Sequence, residues 1–143
     1  MNVNPEQWHF IDTNIFLYAY DNSEPVKQKQ AQVLIRELWQ IKRGCLSIQV
    51  LQELYVNLTH KVKHRVDKGT AIKIISDLGQ WKYHSPDLLS LQEAARIEES
   101  YQVSFWDALI ICSARQLNCH TLWSEDLNSG QEYHGVTVLN PFI

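Results

Sequence analysis

The sequence predicts an α/β domain, a Rossmann-like sandwich in which a parallel sheet of four or five strands carries helices on both faces. Three observations lead there. Short apolar runs alternate with segments of helical period along the whole chain, the pattern of strand–helix–strand crossovers. The first run, Phe10-Ile11, stops at Asp12, and an apolar run of different period begins after Thr13 and Asn14, so a buried strand passes at once into a helix. The segment Ala108-Leu109-Ile110-Ile111-Cys112 is apolar all round, as a helix enclosed by the rest of a domain must be. Parallel strands of this kind are joined by right-handed crossovers.

The elements follow in order. Asp21-Asn22-Ser23-Glu24-Pro25 turns into a helix, with Pro25 in the first turn, where its missing N–H is harmless. Ala31, Leu34, Ile35, Leu38 and Ile41 continue it to about Lys42, and Gly44 is expected to stop it. Cys45-Leu46-Ser47-Ile48 is a second strand. From Gln49 to about His64 runs a long helix with Val50, Leu51, Leu54, Tyr55, Leu58 and Val62 as its buried stripe. Asp67-Lys68-Gly69-Thr70 opens another, through Ile72, Ile75 and Leu78 to Gly79. Trp81 to His84 is a short strand, and Ser85-Pro86-Asp87 starts a helix through Leu88, Leu91, Ala95 and Ile97 to Tyr101. Ser104-Phe105-Trp106-Asp107 begins the enclosed helix. Cys119 to Trp123 is a strand, 124 to 131 a loop turning at Gly130, and Val136-Thr137-Val138-Leu139 the last strand.

At 143 residues the chain is one domain, 1–143, without repeats or linkers and long enough for a real core. No apolar run approaches the ~20 residues of a membrane span. The opening Met1-Asn2-Val3-Asn4-Pro5-Glu6 lacks the basic and then apolar start of a signal peptide. Cys45, Cys112 and Cys119 are odd in number and sit in apolar surroundings, which suits free buried thiols in a reducing cytoplasm. A soluble cytoplasmic domain is expected.

The net charge of −3 argues against a generic nucleic-acid binder, but the charge is unevenly spread. Residues 1–82 hold 11 Lys/Arg against 8 Asp/Glu, and residues 83–143 hold 2 against 8. A polyanion on the basic zone, with metal ions at the acids, would use both; solvated helix faces are the plainer explanation.

Four acids stand out. Asp12 ends a strand, Glu53 lies early in the helix after the second strand, Asp107 opens the enclosed helix, and Asp126 follows the strand 119–123. All fall on the edge of a parallel sheet where strands end and helices begin, the edge at which α/β proteins place ligands. Each has a simpler reading: Asp12 as a helix cap, Ser104 with Asp107 as a capping box, Asp126 as a turn residue, Glu53 as a solvated position. Together they are hard to assign to capping, because clustered carboxylates repel and burial makes this worse. A divalent cation removes the difficulty. All-oxygen donors favour Mg²⁺ or Mn²⁺, and such an ion can activate water and stabilise a leaving oxygen on a phosphodiester. The residues therefore point to a metal-dependent phosphodiesterase or nuclease.

Phe10-Ile11-Asp12-Thr13-Asn14, Gln52-Glu53-Leu54, Ser104-Phe105-Trp106-Asp107-Ala108-Leu109-Ile110 and Ser124-Glu125-Asp126-Leu127 also stand in the order of the PIN-domain motifs. The chain resembles a single-domain PIN ribonuclease of the VapC-like toxin type. The resemblance implies that Asp12, Glu53, Asp107 and Asp126 bind the metal, with Asn14 and Ser124 orienting the acids and the water. It also implies Mg²⁺- or Mn²⁺-dependent cleavage of RNA, a homodimer, and inhibition by a small antitoxin protein. Glu125 beside Asp126 leaves open which carboxylate faces the metal; Asp126 is preferred.

At 100° per residue, Glu53, Asn57, His60 and His64 fall near one line of their helix, with Lys61, Lys63 and Arg65 close by. This is an RNA track, a zinc pair at His60 and His64, or merely a polar face. Trp106, Trp123, Tyr18, Tyr20 and Tyr55 flank the acids and could stack bases, although aromatics in apolar runs usually form core. His9 and His120 read as structural; His84 and His134 carry no assignment. Two rival functions remain: a non-catalytic RNA- or protein-binding module, and a phosphatase with Asp12 as nucleophile. The second normally wants an acid two residues on, where this chain has Asn14.

Overall fold

The computed structural model describes residues 3–60 and 65–143. Its elements are β1 (Trp8–Ile11), α1 (Thr13–Tyr18), α2 (Pro25–Ile41), β2 (Gly44–Ser47), α3 (Ile48–His60), α4 (Lys68–Leu78), β3 (Lys82–His84), α5 (Leu88–Tyr101), α6 (Phe105–Gln116), β4 (Cys119–Trp123), β5 (Glu132–Tyr133) and β6 (Val136–Leu139). The sheet order is β3-β2-β1-β4-β6-β5. The five longer strands pair in parallel, as expected, and β5 adds an antiparallel edge.

The order explains where a site can form. From β1 the chain winds outward through β2 to β3, then returns to the other side of β1 as β4 and continues to β6. Direction reverses between β1 and β4, so the helices before and after β3 cover opposite faces and a crevice opens at the carboxyl ends of β1 and β4. Those ends are Ile11-Asp12 and Trp123-Ser124, joined by Asp12 N–H donating to the Trp123 carbonyl at 3.0 Å.

Local chemistry sets the boundaries. Asp12, Asp67, Asp87 and Ser104 cap α1, α4, α5 and α6 by accepting a backbone N–H in the first turn. β1 is buried from His9 and β2 throughout, as strands covered on both faces must be. The enclosed helix is α6, buried continuously from Ala108 to Ala114. Cys45, Cys112 and Cys119 are free and buried.

Four details differ from the sequence reading. α2 is ended by Lys42 in a left-handed conformation (φ 58°), not by Gly44, which already belongs to β2. In α4, Ile72 is exposed and Ala71 takes the buried position. The buried face of α5 is Ser90, Ala94 and Ile97, whereas Leu88 and Leu91 point outward, because small residues let α5 lie close against α6. β5 was hidden because it is two residues long; it folds back on β6 through His134-Gly135, both at positive φ (49° and 87°), the demand of a tight hairpin turn. The expected extension of α3 from Lys61 to His64 lies outside the described residues.

Gly44 has a different duty. A Cβ there would stand 2.5 Å from the Trp81 ring, which packs flat over the start of β2. Gly44→Ala should therefore destabilise the protein by about 1–3 kcal/mol through overpacking, measured by urea unfolding; an unchanged midpoint would mean that the indole moves aside freely.

Candidate functional site

The residues at the β1–β4 crevice are built on one another. Asp12 leaves β1 with its carboxylate almost enclosed, the residue being 7% exposed. Its Oδ1 accepts the Thr13 N–H at 2.7 Å, and its Oδ2 accepts the Ser124 hydroxyl at 3.0 Å. Ser124 Oγ in turn accepts the Asp126 N–H at 3.2 Å, so one hydroxyl braces Asp12 and the loop after β4. Asn14, in the first turn of α1, donates its amide to Asp126 Oδ2 at 2.9 Å. Thr13 donates its hydroxyl to Glu53 Oε2 at 2.9 Å. Gln49, one turn before Glu53 on α3, donates its amide to Glu53 Oε1 at 3.0 Å. Asp107 sits in the first turn of α6, its N–H donating to Ser104 Oγ at 3.1 Å.

Electrostatics join the fourth acid to the other three. Burial pushes the Asp12 carboxyl up to about 7, against the pull of the Thr13 and Ser124 hydrogen bonds, and repulsion from Asp126 and Glu53 adds to the rise. The Asp107 carboxyl is likewise raised, first by burial and then by the charges of Asp126 and Glu53, while Ser104 lowers it. Asp12, Glu53 and Asp126 are thus linked through Thr13, Ser124 and Asn14, and Asp107 feels the charges of Asp126 and Glu53. Asn14 acts here as an amide donor, a role that offers no acid for a phosphatase step.

The donor set is all oxygen and carries excess negative charge, which fits a hard divalent cation and no softer metal. Among the described residues, no three acidic, histidine or cysteine side chains form a ready-made chelate. Asp12, Glu53 and Asp126 each rest on hydrogen-bond donors of their own. The fit lies in chemistry and placement; a cage is not preformed. Two clefts lie away from these acids, one of about 650 Å³ beside Arg96, Arg115 and His134 and one of about 700 Å³ beside Trp39 and Ile74.

Two contributors were missed from sequence. Thr13 looked like a spacer. Gln49 is four residues before Glu53, a helical spacing that would have placed it on the same face. The question of Glu125 is answered by its partners: Tyr18 donates to one oxygen at 2.7 Å and Lys27 to the other at 2.6 Å, so Glu125 faces away from the other acids. His84 is structural, sharing hydrogen bonds with Ser113 and Ser90, and His134 is the hairpin residue. Trp123 is core, with its indole N–H on His9, while Trp106 is 63% exposed beside Asp107. His60 and Arg65 are exposed, and Lys61, Lys63 and His64 lie outside the described residues, so neither the basic track nor the alternative zinc pair is described in full.

A PIN domain family model matches residues 9–129. Among solved structures, the chain is similar to one in a toxin–antitoxin complex from Klebsiella pneumoniae, at 15% identity and TM-score 0.69, covering 93% of this chain and 97% of that one. It is similar to one in DNA-bound VapBC from Salmonella typhimurium, at 15% identity and TM-score 0.66, covering 94% and 98%. It is also similar to Mycobacterium tuberculosis VapC20, described as a sarcin–ricin loop cleaving toxin, at 16% identity and TM-score 0.60, covering 82% and 89%. Among curated proteins, none matches significantly.

Without metal, the folded protein holds the Asp12 proton more tightly than the unfolded chain, with about 7 against 3.8. The stabilisation this brings is complete below about pH 4 and is lost as pH rises through 7. Asp12→Asn removes the dependence. Relative to wild type, the variant should gain up to about 4 kcal/mol between pH 4 and pH 8 in EDTA, measured by urea unfolding. A difference that stays constant over that range would contradict the enclosed carboxylate.

Proposed function

The chain belongs to the PIN-domain family, and from that premise we propose that it is a metal-dependent endoribonuclease, the toxin of a toxin–antitoxin pair. What supports the reading is the hydrogen-bond linkage of Asp12, Glu53 and Asp126 at the ends of β1 and β4, with Asp107 within reach of the charges of Glu53 and Asp126. The likeness to toxin–antitoxin structures supports the biological setting.

A Mg²⁺ or Mn²⁺ ion held by these four acids would supply a water of lowered pKa and neutralise charge on the scissile phosphate. The chain's own part is to bind, orient and exclude. Asp12 anchors the site to the sheet, where Thr13 N–H and the Ser124 hydroxyl fix the direction of its oxygens. Asn14 and Ser124 place Asp126 through its carboxylate and its backbone. Asp107 enters from the opposite face of the sheet on α6. Attack by water breaks one P–O bond of the RNA backbone, and the leaving oxygen takes up a proton. In this reading RNA approaches the acids along α3 past the exposed His60.

Partners follow from the same reading: RNA as substrate, an antitoxin protein as inhibitor, and a second copy of the chain. Leu88, Leu89 and Leu91 are 68%, 72% and 51% exposed on α5, which supports a protein partner there. Among the described residues, no helix is long and apolar enough to cross a membrane. The buried free thiols suit the cytoplasm.

Incubation with total tRNA and rRNA plus Mn²⁺ or Mg²⁺, followed by mapping of the ends, should reveal discrete cleavage. Asp12→Asn and Asp107→Asn should each lose roughly a hundredfold or more. The Mn²⁺-induced rise in melting temperature should shrink with them. RNA left intact by wild type, with equal Mn²⁺ shifts in all three proteins, would overturn the proposal.

A further inference from the structure

We infer that Gln49 is a positioning residue for the cation site, holding Glu53 where it can serve as a ligand; this rests on the metal-dependent reading above. Gln49 lies in the first turn of α3 and is 8% exposed. Its amide donates to Glu53 Oε1 at 3.0 Å, while the enclosed Thr13 donates to Glu53 Oε2 at 2.9 Å. Thr13 directly follows Asp12, so its bond registers Glu53 against the end of β1. The Gln49 bond, within α3, fixes the direction of the other Glu53 oxygen.

The orientation of the Gln49 amide is forced. Turned round, its carbonyl oxygen would face the Glu53 carboxylate. In the orientation that donates, Oε1 is buried and has no hydrogen-bond partner among the described residues. A desolvated carbonyl without a donor is unfavourable, and such orphans call for an explanation. A methionine or leucine would fill the same space without that burden. What those residues cannot supply is the N–H that holds Glu53, and the Gln49 side chain is accounted for by that donor. Groups that orient metal-binding side chains typically change metal affinity ten- to a hundredfold when removed.

The test compares wild type with Gln49→Met and Gln49→Asn. Met matches the volume and abolishes both polar atoms; Asn keeps the amide but is one methylene too short to reach Glu53. Mn²⁺ affinity is read from the spectrum of free Mn²⁺ by electron paramagnetic resonance, and stability by urea unfolding in EDTA. Both variants should bind Mn²⁺ roughly tenfold or more weakly, while metal-free Gln49→Met is as stable as wild type or more so. Loss of metal-free stability with wild-type Mn²⁺ affinity would make Gln49 merely structural and overturn the inference, whichever variant folds. If wild type itself takes up no Mn²⁺, the nuclease reading fails and this inference with it. If wild type binds Mn²⁺ and both variants bind it equally well, only the role of Gln49 fails.

Discussion

The structure turns on a carboxylate that the fold keeps out of water. Asp12 ends β1 at the point where the sheet reverses its winding order, beneath a helix N-terminus and against the end of β4. Its oxygens are satisfied by the Thr13 N–H and the Ser124 hydroxyl, yet burial outweighs both and its carboxyl rises to about 7. Hydrogen bonds alone would not produce that value; enclosure and neighbouring charge do. Much of the surrounding architecture can be understood as holding further acids near a group that repels them.

Each acid is restrained in its own way. Glu53 is held by Gln49 and Thr13, Asp126 by Asn14, and Asp107 by the start of α6. Glu125, adjacent to Asp126, is drawn off by Tyr18 and Lys27, and Lys27 also lies over the Tyr18 and Phe142 rings, 4.9 and 5.4 Å from their centroids. One acid of the adjacent pair is thus held in an ion pair, and the other accepts the Asn14 amide. Excess negative charge of this kind is what a divalent cation would offset under the proposed reading.

Much of this was legible in the sequence because it rests on local pattern. β4 and β6 were found to the residue, since apolar runs bounded by polar turns mark strands well. The four acids stood out in the sequence because each follows a strand or lies in the early turns of a helix. The α5 stripe was misassigned because leucines suggest a core face, whereas close helix packing buried Ser90 and Ala94 instead. Thr13 was missed because its value depends on a partner in another element, and no periodicity records a hydrogen bond across 40 residues; Gln49, four residues before Glu53 on one helix face, was legible from spacing alone. The choice between Glu125 and Asp126 needed the position of Lys27, 98 residues from Glu125.

The central claim is that a cation takes the place of a proton among converging carboxylates. The most direct measurement is calorimetric titration of Mn²⁺ at pH 7 in buffers of different ionisation enthalpy, which counts the protons released. With the Asp12 carboxyl at about 7 in the metal-free protein, binding should release about half a proton per site, and the release should disappear in Asp12→Asn. Binding with no proton release in wild type, or the same release in the variant, would contradict the account.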